Sequence, residues 1–326
     1  MDSKKNIVSV IIPVYNSSLL LKRSIDSVYI QKTNYKIELI IIDDGSEDDI
    51  NQIISQYPQI KFSTQKNSGP AAARNKGLHM ATGKYVSFLD ADDFWEPDFL
   101  LETIHFLEAN PDAIAVSTGQ LHKTPGKQDY IVPKFLINNP QLYSNPILLD
   151  NFYEFWTNYN HVCTGSVLIR SEIVKKTNGQ RIDLRITEDL EFWFYLATFG
   201  KWGFIPKVLF VSDGNVITKQ TGWQNKNRAR WASAPTVEEW ESRIIKQITD
   251  NYLCSYKKAR GRIAKKLVYS MILSSRKKLA KKTIKKYSKT FPDDKLSKAL
   301  KFASYISISW IIICNLIIVK ERFRKI

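Results

Sequence analysis

The sequence has few of the side chains that bind soft metals, with only 3 cysteines and 4 histidines among 326 residues. Cys163, Cys254 and Cys314 are odd in number and far apart, and none has the paired spacing or the adjacent histidine of a zinc site. The pattern excludes a zinc module and predicts reduced thiols in the cytosol.

A glycine-rich phosphate-binding turn is also missing after the first apolar run. Pro13-Val14-Tyr15-Asn16 stands where a nicotinamide-dependent oxidoreductase needs Gly-x-Gly-x-x-Gly to bring its backbone close to a pyrophosphate. A sugar nucleotidyltransferase would need a glycine-rich, basic loop at the same place, and that loop is absent too. Both enzyme classes are therefore excluded.

The N-terminus lacks the features of a secretory leader. Met1 to Asn6 are polar and lead directly into an apolar run, without the cationic and apolar regions of a signal peptide. We expect the catalytic part of the protein to stay in the cytoplasm.

Positive charge is concentrated in one C-terminal segment. Residues 257–301 contain 17 Lys or Arg against Asp293 and Asp294, which accounts for +15 of the formal net charge of +16. An anionic partner, either lipid headgroups or nucleic acid, is therefore expected for this segment alone. No nucleic-acid-binding module is recognisable, so nucleic acid binding is not expected.

The N-terminal half alternates between apolar, β-branched runs and segments with helical spacing of apolar residues. Continuous apolar runs such as VSVII and IELIII are typical of strands buried on both faces, which indicates an α/β fold with helices covering a largely parallel sheet. The predicted strands are 7–14, 37–42, 60–64, 85–89 and 113–117, and the predicted helices are 18–31, 48–57, 70–80, 97–107 and 187–199.

Carboxylates follow two of the predicted strands. The second strand ends in Asp43-Asp44-Gly45-Ser46 and the fourth in Asp90-Ala91-Asp92-Asp93. Ligands of open α/β sheets bind beyond the carboxyl ends of strands, and crowded carboxylates stay ionised when a divalent cation binds them. Oxygen ligands favour Mg²⁺ or Mn²⁺. For Asp43, Gly45 and Asp48, a role as turn formers or helix caps remains open.

Four motifs in order along the chain resemble the inverting, bacterial-type family 2 glycosyltransferases of GT-A fold: VSVIIPVYN, IIIDDGSEDD, NSGPAAARNKG and FLDADDFWEPD. The resemblance covers roughly residues 7–210 and implies a mixed, mostly parallel sheet that binds a nucleotide-sugar. We expect a GT-A domain in residues 1–240, a basic helical region in 241–301 and an apolar membrane-associating helix in 302–326.

The resemblance also implies roles for single residues. Pro13, Tyr15 and Asp44 would line the pocket for the nucleotide base and ribose, and Asp90 would reach the ribose. Asp92, in the DXD motif, would bind the metal ion that bridges the diphosphate, with Asp93 assisting the metal or positioning the donor sugar. Arg74 would set positive charge near the diphosphate, or form a structural salt bridge to the acidic residues.

Sugar transfer also needs a base for the acceptor hydroxyl. Thr187-Glu188-Asp189 matches the acidic motif of the family, which implies that Asp189 is the general base of an inverting single displacement; helix capping by Thr187 and the acidic pair is the open alternative. Processive members carry Q-x-x-R-W, whereas residues 222–231 read GWQNKNRARW with a different spacing. The departure favours transfer of a single sugar.

The last apolar run, residues 302–319, is uncharged and 18 residues long, at the lower limit for a membrane-spanning helix. A span and a helix lying in the membrane surface are both open, and the neighbouring lysines favour an anionic membrane. We expect an enzyme at the cytoplasmic face of the cell membrane, peripheral or single-pass, that moves a sugar from a UDP-sugar to a glycan or lipid-linked acceptor in envelope polysaccharide synthesis. The alternative is an inactive membrane-associated protein that binds nucleotide-sugars or polyanions.

Overall fold

The computed structural model describes residues 6–124, 127–131, 145–213 and 223–322. The described residues up to 182 and from 188 to 213 form one compact unit, and residues 183–187 and those from 223 onward form a second. The first unit contains all the described strands and the second is helical.

One mixed sheet organises the first unit. Its strand order is β3-β2-β1-β4-β9-β6-β10-β5, with β7 beside β6 and β8 beside β10. The longest pairings, β1 with β2 and β6 with β10, are parallel, whereas β9 runs antiparallel to both β4 and β6. The strands are β1 (Ile7–Val14), β2 (Lys36–Asp43), β3 (Lys61–Thr64), β4 (Tyr85–Phe88), β5 (Asp93–Trp95), β6 (Ala113–Thr124), β7 (Lys127–Ile131), β8 (Ile147–Leu149), β9 (Val167–Arg170) and β10 (Lys201–Ser212).

Helices bury the apolar side chains of the central strands. Val8, Val10 and Ile12 of β1 lie in one core with Leu21, Ile25 and other residues of the first helix. Apolar burial of this kind contributes about 25 cal/mol for each Å² removed from water. The α-helices of the first unit are α1 (Ser18–Tyr29), α2 (Asn51–Ile54), α3 (Pro70–Met80), α4 (Phe99–Ala109), α5 (Phe152–Tyr159), α6 (Ser171–Thr177) and α7 (Glu188–Leu196).

The second unit has a core of its own on a long central helix. Tyr256, Ile263, Leu267 and Met271 of that helix are fully buried. The described helices are α8 (Trp223–Ala232), α9 (Val237–Trp240), α10 (Asp250–Leu273), α11 (Lys277–Tyr287), α12 (Lys295–Ala303) and α13 (Ser307–Arg322).

The apolar run 302–319 does not form one continuous helix. It is divided between the end of α12 and α13, with a turn at Ser304 and Tyr305. The 16 residues of α13 cover about 24 Å, less than the roughly 30 Å of a bilayer core. Among the described residues, no helix is both long and apolar enough to cross a membrane. Of the two alternatives left open for residues 302–319, the span is the one that the described helices do not support.

Glu38, near the start of β2, is the centre of a hydrogen-bond network. Donors from three other segments converge on its carboxylate. Lys61 Nζ and Thr82 Oγ1 reach Oε1 at 2.5 and 2.7 Å, while Ser9 Oγ and Thr82 N reach Oε2 at 2.5 and 2.8 Å. Burial alone would raise the pKa of Glu38, but these donors favour the carboxylate and lower its pKa to about 2.

We expect Glu38→Gln to lower the free energy of unfolding at neutral pH by about 2 kcal/mol. A lowered folded-state pKa stabilises the protein above the unfolded-state value of 4.5, and this stabilisation is lost as the pH falls towards 2. Urea denaturation across this pH range measures the effect. Glu172→Gln, at an exposed site, is the control, and an equal pH dependence of both variants would contradict the prediction.

Candidate active site

The carboxyl ends of β1, β2 and β4 lie side by side at one edge of the sheet. Asp44 N donates to Val14 O at 2.8 Å, and Leu89 N donates to Ile11 O at 3.0 Å. The strand register therefore brings Pro13 and Tyr15 to the same edge as Asp44 and Asp90. Tyr15 is 40% exposed, so its ring is open to a ligand.

Asp44 organises the loop that precedes α3. Its Oδ1 accepts from Gln65 Nε2 and Ser68 N, both at 2.8 Å, and its Oδ2 accepts from Gly69 N at 2.8 Å. The side chain is buried. Asp44 therefore fixes the backbone that enters α3 at the carboxyl edge of the sheet.

Arg74 on α3 is buried and forms an ion pair with Asp90 at the end of β4. The distance from Nη2 to Asp90 Oδ1 is 2.6 Å, and Nη1 lies 3.4 Å from Gln180 Oε1. Burial would lower the pKa of Arg74, but Asp90 and, more weakly, Asp189 and Glu188 raise it. The salt bridge of the sequence-based alternative is therefore present, and the charges of both acidic motifs act on the same guanidinium.

Asp92 and Asp93 crowd next to Asp90 in a partly desolvated turn. Asp93 N donates to Asp90 O at 3.0 Å, and Asp93 Oδ1 accepts from Asp213 N at 3.1 Å. Burial, with the charges of Asp90 and Asp92, raises the pKa of Asp93 to about 8. Burial and Asp90 also raise the pKa of Asp92. A cation beside this turn would favour the ionised carboxylates.

The donor set of this turn suits a hard divalent ion that shares its coordination with a ligand. Carboxylate oxygens are the ligands that Mg²⁺ and Mn²⁺ prefer, and Mg²⁺ sites often combine one or two carboxylates with substrate phosphates. In the part of the chain that the structure describes, no group of three or more His, Cys, Asp and Glu side chains is placed to hold a metal alone. Asp92 and Asp93 thus fit a site that the phosphates of a ligand would complete.

Helix α1 holds the backbone of this acidic turn, a feature absent from the sequence analysis. Arg23 Nη2 donates to Asp92 O at 2.6 Å, while Nη1 reaches Asp213 Oδ2 at 2.7 Å. Ser24 Oγ lies 2.8 Å from Ala91 O and 2.6 Å from Asp93 O. The sequence signal for these contacts is the spacing of polar residues at 23, 24, 27 and 31, which recur at helical intervals in and just after α1.

We expect Arg23→Ala to weaken donor and metal binding about tenfold while the fold is retained, because the turn loses a charge-assisted hydrogen bond worth about 1.5–3 kcal/mol. Calorimetric titration with Mn²⁺ and nucleoside diphosphate measures the loss. Lys22→Ala removes the neighbouring exposed cation, whose partner is Asp26, and serves as the control. Equal affinities in the two variants would show that Arg23 does not position the turn.

Asp189 lies in the first turn of α7, which is seated firmly against β4. Phe192 and Trp193 are fully buried, and their rings lie 6.2 and 6.3 Å from that of Phe88. Asp189 itself is half-buried, and its charge acts on Arg74. A carboxylate on a fixed helix beside the acidic edge is suited to accept a proton from a bound hydroxyl.

The comparisons with known proteins agree with this geometry. The profile of Glycosyl transferase family 2 matches residues 9–177, more than half of the chain. An uncharacterised glycosyltransferase of Rickettsia typhi is 31% identical over 254 residues, covering 76% of this chain and 77% of the relative. The Escherichia coli protein WfaP, a UDP-Glc:alpha-D-GlcNAc-diphosphoundecaprenol beta-1,3-glucosyltransferase, is 28% identical over 197 residues, covering 60% of this chain and 71% of WfaP.

Two solved structures share the fold. S. aureus TarS 1-349 in complex with UDP-GlcNAc has a TM-score of 0.59 and 15% identity, covering 97% of this chain and 91% of TarS. Mannosyltransferase PcManGT from Pyrobaculum calidifontis, in complex with GDP-Man and Mn2+, has a TM-score of 0.54 and 18% identity, covering 98% of this chain and 88% of PcManGT. At these identities the likeness concerns the fold alone.

The chain spans less than half the length of five further curated glycosyltransferases that it matches. The profile match nevertheless includes Pro13, Asp44 and the turn of Asp92 and Asp93. The α/β fold, the order of its four motifs and these matches lead to one assignment: the chain belongs to glycosyl transferase family 2, a family of glycosyltransferases.

Proposed function

We propose that this protein is an inverting, metal-dependent glycosyltransferase that moves one sugar from a nucleoside-diphosphate sugar, a UDP-sugar, to a hydroxyl of a glycan or lipid-linked saccharide. The observation that carries the proposal is the ion pair of the buried Arg74 with Asp90, because the charges of Asp90, Asp189 and Glu188 all act on the same guanidinium. Sugar transfer requires the residues that bind the donor and the base for the acceptor hydroxyl to lie in one site.

On the donor side, Pro13, Tyr15 and Asp44 form the wall for base and ribose, and Asp90 reaches the ribose. Support comes from their shared position at the carboxyl edge of β1, β2 and β4. TarS and PcManGT, which share the fold, are complexed with UDP-GlcNAc and GDP-Man. UDP is favoured here because WfaP, the more similar sequence, is named for a UDP-Glc donor.

Asp92, with Asp93 beside it, would hold Mg²⁺ or Mn²⁺ against the diphosphate. When bound, the ion supplies positive charge that stabilises the departing nucleoside diphosphate. The residues of the chain add to this: Arg23 and Ser24 fix the backbone of the turn, and Arg74 keeps Asp90 in place. The manganese complex of PcManGT supports the choice of metal.

On the acceptor side, Asp189 takes the proton of the attacking hydroxyl. The hydroxyl oxygen bonds to the anomeric carbon as the bond from that carbon to the diphosphate oxygen breaks on the opposite face. This gives inversion without a sugar–enzyme intermediate. The packing of α7 against Phe88 fixes the position of Asp189. Proton transfer requires the base to lie within hydrogen-bond distance of the hydroxyl.

We propose that residues 1–240, which include helices α8 and α9 of the second unit, form the catalytic domain, with a basic helical region in 241–301 and an apolar tail in 302–326. We also propose that the protein lies at the cytoplasmic face of the membrane. The diphosphoundecaprenol in the name of WfaP supports a lipid-linked acceptor and a role in cell-envelope polysaccharide synthesis.

The function is tested by incubating the purified full chain with a panel of UDP- and GDP-sugars, with Mn²⁺, Mg²⁺ or EDTA, and measuring release of nucleoside diphosphate. We expect release from one class of UDP-sugar, abolished by EDTA. Binding of the donor without any release, also in the presence of membrane extracts as a source of acceptor, would support an inactive binding protein instead.

A further inference from the structure

Helix α13 has apolar side chains on two opposite faces, and only one of them is covered. Trp310, Cys314 and Ile317 are buried, at 7%, 0% and 5% exposure. On the other side Ile308 and Leu316 are 73% and 62% exposed. The exposed set also includes Ile311, Ile312 and Val319 and extends to Phe302, Tyr305 and Ile306 before the helix.

The spacing of these residues makes the exposed set a continuous face. Positions 308, 311, 312, 315, 316 and 319 recur at three- and four-residue intervals, so they lie on one side of an α-helix. Positions 310, 314, 317 and 321 form the opposite, buried side. A helix that is apolar all round is normally buried all round. The exposed side of α13, together with Phe302, Tyr305 and Ile306, forms one surface, the α13 face.

A row of lysines on α11 borders the α13 face. Lys277 Nζ lies 3.3 Å from Asn315 Oδ1, within the α13 face, and Lys285 Nζ lies 5.8 Å from the centre of the Tyr305 ring. Lys277, Lys281 and Lys285 are four residues apart, so they form one row along α11 whose outer members contact the α13 face at Asn315 and Tyr305.

Helix α11 contributes positive charge and no negative charge. Its sequence, KKLAKKTIKKY, has six lysines in 11 residues. Lys278 and Lys282, in the neighbouring row, are exposed, as are Lys301 and Lys320 near the two ends of α13. An apolar surface beside a row of lysines is complementary to an anionic bilayer. The acyl chains of the bilayer can receive the apolar side chains, and its anionic headgroups can bind the lysines.

We propose that the α13 face lies in the plane of an anionic lipid bilayer, with its isoleucines among the acyl chains and the α11 lysines at the headgroups. The inference rests on the membrane location given under the proposed function and specifies the surface that binds the membrane. A second copy of the chain is the competing occupant, but two α13 faces packed together would also bring two rows of lysines together, which costs free energy at low salt.

The test is sedimentation of the full chain with vesicles made of equal parts phosphatidylglycerol and phosphatidylcholine, and with phosphatidylcholine vesicles. We expect binding to the anionic vesicles that weakens as salt is added. Replacing Ile308 and Ile312 together with glutamine should weaken binding at least about tenfold. Lys278→Glu with Lys282→Glu should weaken it about tenfold, and only at low salt.

Matched controls lie in the first unit. Leu19→Gln with Leu101→Gln replaces two exposed leucines outside the α13 face. Lys175→Glu with Lys176→Glu reverses the charge of two exposed lysines outside α11. Both control pairs should bind vesicles like the unchanged protein. Full binding by the isoleucine variant, or no binding by the unchanged protein, would overturn the proposal. The proposal would also be overturned if sedimentation equilibrium showed a dimer of the unchanged protein without lipid and a monomer of the isoleucine variant.

The same variants separate this inference from the proposed function. Release of nucleoside diphosphate from a soluble donor should be unchanged in the isoleucine variant, because no α13 residue belongs to the acidic edge of the sheet. Vesicle binding without any donor turnover would contradict the proposed enzyme while leaving the α13 face in place.

Discussion

Replacing Asp189 with asparagine should lower kcat for sugar transfer by about a thousandfold, in line with the 10²–10⁴ contributed by a general base. Asparagine has nearly the same shape but cannot accept the acceptor proton at neutral pH. The donor does not need the base, so the Kd for the nucleotide-sugar should change by less than about twofold. Steady-state kinetics with calorimetric titration of the donor measure both quantities.

Asp112→Asn is the matched control for this experiment, because Asp112 is an exposed aspartate outside the acidic edge. It should retain the kcat of the unchanged protein. A folded Asp189→Asn variant that keeps most of its turnover would remove Asp189 as the base, although the enzyme class would stand. The buried aromatic seat of α7, formed by Phe192 and Trp193, makes loss of the fold an unexpected result.

The second large effect is expected for Asp92→Asn, which should weaken Mn²⁺ binding and donor binding together by at least about a hundredfold. The change removes a carboxylate from the turn that we propose to bind the ion and the diphosphate, so the ion and the donor would lose the same ligand. Titration of Mn²⁺ with and without nucleoside diphosphate measures the coupling between them. Asp189→Asn serves as the comparison, since it should leave both affinities in place.

A result in which Asp92→Asn binds metal and donor normally would contradict the site, and Asp93→Asn would then be the next variant to test. Asp93 is more deeply buried than Asp92, and its Oδ1 accepts from Asp213 N. A loss confined to the Asp93 variant, together with a lower thermal stability, would indicate that Asp93 supports the turn and does not bind the ion.

The elements that were predicted most accurately are those in which the local sequence and the tertiary surroundings favour the same secondary structure. Ile7–Val14 and Pro70–Met80 have the predicted bounds, because one is a continuous apolar run and the other begins with proline at its first turn. The predicted helix 48–57 shortens to Asn51–Ile54. Asp48 Oδ2 accepts from Ser18 N at 2.7 Å, a contact between distant segments that helical periodicity does not encode.

Strand β6 shows the opposite error, since it extends from Ala113 to Thr124 where residues 113–117 were predicted. Its polar second half, with Gly119, Gln120 and His122, is held in the sheet by pairing with β10 and β7. Sheet pairing of this kind depends on strands far away in sequence, so neither apolar runs nor alternation reveal it.

For the site, the sequence led to the acidic residues but not to what holds them. The carboxylates follow from strand ends and the four motifs, whereas the contacts of Arg23 and Ser24 with the acidic turn depend on tertiary structure. The geometry at Thr187 disfavours helix capping, the alternative left open for this motif: its backbone has φ +60°, and its hydroxyl donates to Ile186 O. N-cap residues usually have extended backbone geometry, which that φ excludes.

Helix α1 reaches the acidic turn through carbonyl oxygens and leaves its carboxylates to other partners. The path of the backbone is therefore set by groups that every amino acid carries. Redesign can make use of this separation: exchanging residue 92 for histidine would alter ion preference on an unchanged scaffold. Comparing such exchanges would measure coordination chemistry directly, without a change of loop shape confounding the result.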